Sequence, residues 1–337
     1  MRSLLVFFLS IGVLLSCNSS KSLVGNIDSI EIEVTRNEIV NVGSNFEYTL
    51  YALLKSGDRR KIKDDDIVSI QDGMFSDAGK HRALVAKPLP NFKDSIFPIT
   101  IEIAIGEYQF TGNDSVQLNF KGPIKVDWSQ KNGADGTQPR ASAATLFGRD
   151  GMEGRSGGDG ENGASGRNVT SYLWIEDDEL RMMLTCDRCD ENYYFRSISK
   201  NSVWVNLTGG DGGNGGQGGT GGNGKPGKLG KPPGNGADGG IGGNGGDGGD
   251  GGSMVLFIHP TAAHLDESIT LLNSAGIPGN SGEGGDAGAG GEPFKNQKEG
   301  TAGNPGISGK KGKSGKNGPA LTISKVAFDP EAINDQE

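Results

Sequence analysis

The chain is poor in the residues that catalytic and densely packed proteins rely on. Among 337 residues there are three cysteines, three histidines and three tryptophans, and aromatics make up 7%. His81, His259 and His264 stand at no metal-ligand spacing, which argues against a Cys/His metal site. A hydrophobic share of 33% is thin, so an apolar core has to be concentrated in part of the chain. After the first sixteen residues no apolar run is long enough to span a bilayer. The net charge of −9 argues against nucleic acid as a partner. No Gly-x-Ser-x-Gly elbow, His-Glu-x-x-His pair or Walker lysine motif occurs. The acidic runs Asp64-Asp65-Asp66 and Glu176-Asp177-Asp178-Glu179 read as solvated turns rather than acid–base pairs. The expectation is a non-enzymatic protein without cofactor or metal.

What is present begins with an export signal over residues 1–16. Arg2 supplies the positive start, and Leu4 to Leu15 is an apolar stretch of h-region length. It ends in Leu14-Leu15-Ser16-Cys17, which resembles the bacterial lipobox. The resemblance implies cleavage after Ser16 and acylation of Cys17, hence a lipid-anchored membrane protein with a tether over 17–27. Asn18 follows the cysteine, where an Asp would signal inner-membrane retention in enterobacteria, so the outer membrane is the expected address. Three Asp-Ser-apolar triplets, at Ser29, Ser95 and Ser115, resemble the O-glycosylation signal of exported Bacteroidota proteins.

From residue 28 the chain shows strand periodicity. Ile30, Ile32 and Val34 alternate with polar residues, as do Phe46, Tyr48 and Leu50, and Ile99 to Ile105. Such period-two runs between turn residues predict a small β-sandwich over 28–107. Its Val40-Asn41-Val42-Gly43-Ser44 segment is similar to bacterial immunoglobulin-like domains, which are usually spacers. Val116 to Phe120 and Ile124 to Trp128 are expected to form a hairpin around Gly122-Pro123, opening a second domain over 108–328; residues 329–337 form a tail.

Most of the chain's 59 glycines belong to that second domain, where the majority fall on every third position in three tracts, 133–166, 209–252 and 276–318. The frame survives interruptions, which a flexible Gly/Ser linker has no reason to do. Three residues per turn is the period of polyproline II geometry, and a glycine on every turn lets a neighbouring backbone approach along one edge. The Gly-X-Y frame resembles collagen. It also resembles the intrachain polyglycine-II bundles of some phage tail-fibre adhesins and of the snow-flea antifreeze protein. Proline is sparse for collagen, and the second tract carries two glycines per triplet, enough for two close neighbours. The bundle is therefore the favoured reading, with a collagen-like trimer or disorder as alternatives. Each tract reads as an arm out, a turn and an arm back. An arm of roughly sixteen to nineteen residues at about 3.1 Å each reaches roughly 50–60 Å.

Apolar strand candidates at 169–175, 180–184, 193–198, 203–207, 254–258, 269–272 and 321–328 separate the tracts and predict a β-base at their roots. The fold class expected is thus all-β with polyglycine-II hairpins. Cys186 and Cys189 lack the context of a redox or zinc motif and are read as a disulfide at a hairpin tip, ahead of free thiols or metal. Gly242 to Asp247 matches the start of a calcium-binding nonapeptide, but Gly249 stands where that repeat needs a large apolar residue. The turns between arms carry Arg140, then Lys225, Lys228 and Lys231, then Lys295 and Lys298. Were the hairpins side by side, these would form a cationic end suited to a surface polysaccharide or other anionic ligand. The functional expectation is an adhesin-like binding module; the alternative is a rigid accessory subunit with an outer-membrane protein partner. Replacing Cys17 with Ala should release the protein from membranes or block its processing, and labelled palmitate entering the variant at wild-type level would refute the anchor.

Overall fold

The computed structural model describes residues 24–34, 45–62, 67–70, 75–77, 82–85, 89, 92–105, 107–139, 150–198 and 200–334. Residues 1–16, which the sequence reads as an export signal, Cys17 and Arg140 lie outside them. The protein is mostly β-strand in several small sheets, with one short α-helix, Pro330–Asn334, among the described residues. None of the described helices is long and apolar enough to cross a membrane. Two compact units divide the chain. The first ends at Asn119, and the second takes Pro88–Lys93 together with Phe120–Glu337.

In the first unit, strands β1 (Ile27–Val34), β2 (Asn45–Leu54), β3 (Arg59–Lys61), β4 (Ile67–Ile70), β5 (Phe75–Asp77), β6 (Arg82–Val85), β7 (Ile96–Ile105) and β8 (Tyr108–Gln117) make two antiparallel sheets. One is ordered β1-β2-β6-β5, with β3 beside β2; the other is β4-β7-β8. The alternation does what the period requires: Phe97, Ile99, Ile101, Ile103 and Ile105 are buried while Ile96, Pro98 and Glu102 are exposed. At Gly112 in β8 a Cβ would lie 3.0 Å from Ile30 Cγ2 and 3.1 Å from Ile32 Cγ1, so glycine there lets β1 press onto β8. The expected hairpin at Gly122-Pro123 does not form. Val116 pairs with Phe97, whereas Ile124 pairs with Val203, and the donors of the later segment are spent on that parallel partner. Pro123 has no N–H to offer a returning strand.

In the second unit, β9 (Ile124–Asp127), β13 (Val203–Asn206) and β15 (Ile269–Leu272) form a parallel sheet, β15-β13-β9. The strands β10 (Asn168–Glu176), β11 (Glu179–Cys186), β12 (Tyr193–Ile198), β14 (Ser253–Ile258) and β16 (Thr322–Lys325) form a second sheet, ordered β12-β11-β10-β14-β16. Ile124, Val126, Val203, Val205, Leu173, Met182, Leu184, Leu256 and Ile258 bury at 2% exposure or less. Leu89 and Phe92 belong to this core. Phe92 meets Trp174 and Tyr194 edge-on at 5.1 and 4.9 Å, a pair of ring contacts that no periodicity announces.

The glycine-rich arms continue these sheets without changing register. The chain leaves β9, β13 and β15 along outgoing arms 130–139, 208–224 and 274–291. It returns along 150–166 and 234–252 into β10 and β14, and along 300–318 toward β16. Val203 pairs with Ile124, and the same offset of 79 persists where Asp211 N donates to Asn132 Oδ1. An offset of 66 joins β13 to β15 and then Asn214 to Asn280, and one of 85 joins β10 to β14 and Asp159 to Asn244. The sheets therefore set the register that the glycine frame keeps.

Every third residue of each arm is a glycine whose N–H leaves the arm. Gly245 N donates to Lys310 O of a parallel arm at 2.8 Å, and Gly246 N donates to Gly213 O of an antiparallel arm at 2.8 Å. The third N–H of the triplet, on Asp247, donates to Asn162 Oδ1 at 2.7 Å. So all three donors of that triplet are satisfied, as a buried backbone demands. The Asn and Asp side chains on this edge face water, with Asp247 half-buried, and at the same time accept from the neighbouring arm. Asp159, Asn162, Asn244 and Asp247 accept from Asn244, Asp247, Lys310 and Lys313 in turn. The buried residues of 208–224, 234–252 and 274–291 are glycines. Apolar side-chain burial thus contributes little here, and close backbone packing plus bonds of about 0.5–1.5 kcal/mol each carry the stability. The middle hairpin, with two glycines per triplet, is the one bonded on both flanks.

A Cβ at Gly216 would land on the carbonyl oxygen of Thr137. Gly216→Val should therefore destabilise the second unit by roughly 1–3 kcal/mol or more in chemical denaturation. Asp247→Asn, which keeps the accepting oxygen, should leave the midpoint within about 0.5 kcal/mol of wild type.

Candidate functional site

The parallel courses of the outgoing arms bring the second and third turns to one end of the bundle. In the second turn, Lys228 and Lys231 exchange backbone hydrogen bonds of 2.9 Å in both directions, closing a two-residue loop of Leu229 and Gly230. Gly230 sits at φ +74, the left-handed backbone that a glycine tolerates at this turn position. Pro226, Pro232 and Pro233 flank the loop and stop the bonding pattern of the arms, because they bring no donor. In the third turn, Phe294 N donates to Gln297 Oε1 at 3.3 Å and Gln297 N donates to Phe294 O at 3.3 Å.

The two turns are tied together. Gly227 N donates to Glu292 O at 2.8 Å. The Gln297 Nε2 amide donates to both Lys228 O and Lys231 O, at 3.0 Å each. Gly227 has no side chain at the point where Gln297 Oε1 and the Phe294 backbone come closest. One glutamine thus fixes the second turn to the third.

The structure therefore gathers Lys225, Lys228, Lys231, Lys295 and Lys298 on two joined turns, while Arg140 lies outside the described residues. Lys225 is half-buried; the other four lysines are exposed. Lys295 takes φ 54 and holds Nζ 5.4 Å from the centre of the Phe294 ring. Glu292 and Glu299 are the acidic members of the third turn. Leu229, at the outermost position of its loop, is 83% exposed, and Phe294 is 37% exposed. Sequence reading passed over Leu229 and Gln297. The first had a signal: Lys-Leu-Gly-Lys between prolines spells a two-residue turn with glycine third. The second had none, since its acceptors lie 66 and 69 residues away.

At the opposite end of the arms a disulfide joins Cys186, the last residue of β11, to Cys189. Its loop braces a root of the bundle: Arg188 Nη2 donates to Ser165 O at 2.8 Å and to Gly166 O at 2.6 Å, and Asn168 Nδ2 donates to Asp187 Oδ2 at 2.8 Å. Among the described residues no group of three His, Cys, Asp or Glu is placed to hold a metal. Ser29 and Ser115 of the Asp-Ser-apolar triplets are exposed. No protein-family model matches the chain, and no curated protein matches it.

Gln297→Ala should uncouple the turns. Hydrogen exchange at the Gly227 and Phe294 amides should quicken, while Gly212 to Gly221, deep in the bundle, keep wild-type protection. Unchanged exchange at Phe294 would refute the staple.

Proposed function

We propose that this chain is an exported lipoprotein, anchored to the outer membrane through Cys17, whose glycine-rich module is a non-catalytic binding device. On this reading the first unit is an immunoglobulin-like spacer, and the arms are polyglycine-II helices. The bonds leaving the arms at every third residue, to parallel and antiparallel neighbours alike, support the helix assignment. The two small antiparallel sheets of that unit support the spacer.

The observation that carries the functional reading is the pair of joined turns with their five lysines. Like charges held together on an acidic chain repel one another, at a cost that screening only reduces. An anionic polysaccharide or an anionic group of another kind offsets that repulsion, and its binding weakens as salt rises. Arg140 belongs to the first turn and is assigned to the same contact. A second reading, the rigid brace of an outer-membrane protein complex, is favoured by the unbroken register from sheet to arm. Pull-down from crosslinked cells separates them, since one stable protein partner favours the brace.

Changing Lys225, Lys228 and Lys231 together to Ser should abolish salt-sensitive binding to isolated surface polysaccharide while leaving thermal unfolding unchanged. Undiminished binding by that variant would remove the lysines from the contact.

A further inference from the structure

We propose that the joined turns form a lipid-docking tip: Leu229 and Phe294 enter the acyl boundary of an anionic membrane surface while Lys228, Lys231, Lys295 and Lys298 contact its headgroups. The proposal deepens the binding-module reading and rests on its claim that the turn end is the contacting end. A polyanion in water accounts for the lysines but has no use for the leucine. Leu229 is 83% exposed, yet it is not a loose side chain on a mobile loop. Its loop is closed by two backbone bonds and clamped from behind by Gln297. Flanking Pro226, Pro232 and Pro233 restrict the backbone further. The chain thus holds a large apolar group away from any surface of its own on which it might bury.

Phe294 lies on the neighbouring turn, 37% exposed, with the Lys295 ammonium against its ring. An apolar point ringed by lysines suits the membrane interface, where long cationic side chains keep their heads in the headgroup layer as their stems lie along apolar neighbours. The other large exposed apolar residues of the arms, Met152, Ile241, Ile277 and Ile307, sit along the arms and not on the turns. Glu292 and Glu299 reduce the charge of the tip without cancelling it, so attachment should be salt-sensitive and reversible. Each lysine near an anionic surface strengthens binding about five-fold, and burying a leucine strengthens it roughly ten-fold or more.

The test uses the purified full chain carrying Leu229→Trp, a substitution at a site with room for it. It is mixed with vesicles whose acyl chains are brominated, made either of phosphatidylcholine alone or of phosphatidylcholine with phosphatidylglycerol. The added tryptophan should be quenched by the anionic vesicles and hardly by the neutral ones. Raising salt should reverse the quenching. Ile307→Trp, on the bundle flank, should stay unquenched in both. In a chain lacking residues 1–17, hence without the proposed anchor, and without added tryptophan, Leu229→Ser with Phe294→Ser should weaken co-sedimentation with anionic vesicles at least ten-fold. Absence of quenching, equal quenching by neutral and anionic vesicles, or binding confined to a soluble polyanion such as dextran sulfate would each overturn the proposal. Because quenching reads the depth of residue 229 itself, it is independent of the N-terminal anchor and of whether polysaccharide binds. Failure of the lipid tip and failure of the binding-module reading are thereby told apart.

Discussion

The glycine-rich arms of the second unit depend on one interaction, the hydrogen bond from a glycine N–H to a carbonyl of the next arm, recurring at every third residue. Backbones can approach closely enough to make it only where no Cβ intervenes. Gly213, Gly246 and Gly279 show the geometry, since a Cβ on any of them would strike a neighbouring carbonyl. An ordinary domain holds its polar backbone in place by burying apolar side chains around it. Here the backbone is itself the interior, and the side chains are left to line the outside.

That inversion decides which residues stand outside. A bundle whose donors all had to find carbonyls would leave one N–H per triplet unmatched, at a cost of about 1–3 kcal/mol each. Asn and Asp remove that cost because their side-chain oxygen reaches one arm over; a Lys or Ile in the same position accepts nothing. The outermost returning arm marks where the need ends: Lys310, Lys313 and Lys316 receive oxygens from Asn244, Asp247 and Asp250 through their N–H groups, and their own side chains pass nothing on. Much of the acidic character of the module is accounted for in this way by backbone chemistry.

Much of this was legible in the sequence, and the remainder was hidden for identifiable reasons. The glycine frame, the arms with their turns and the strands β10 to β15 follow from periods of three and two, which act within a few residues. Two glycines per triplet in the second tract announced two close neighbours, but not that these are the other two hairpins, one on each flank. Parallel pairing of β9, β13 and β15 was not legible, because the partners are separated by whole hairpins and nothing local distinguishes them from antiparallel strands. The segment 116–128 was misread for the same reason: a short apolar pair around Gly-Pro imitates a hairpin whether or not its strands have other partners. The placing of Phe92 among Trp174 and Tyr194 left no trace in any period. At the tip, the charges could be read from the turns, but the glutamine that joins them could not.

The constancy of the offsets between neighbouring arms has a consequence for how such a molecule can change. An insertion of one residue in a single arm would turn its glycines away from their partners, and an insertion of one triplet in a single arm would slide every later bond out of step. Length can be altered smoothly only by adding a triplet at the same level in all neighbouring arms, each step extending the bundle by about 9 Å. The module is in this sense a graduated rod: its height is quantised, and the distance from its sheets to its turns is inherited in whole notches.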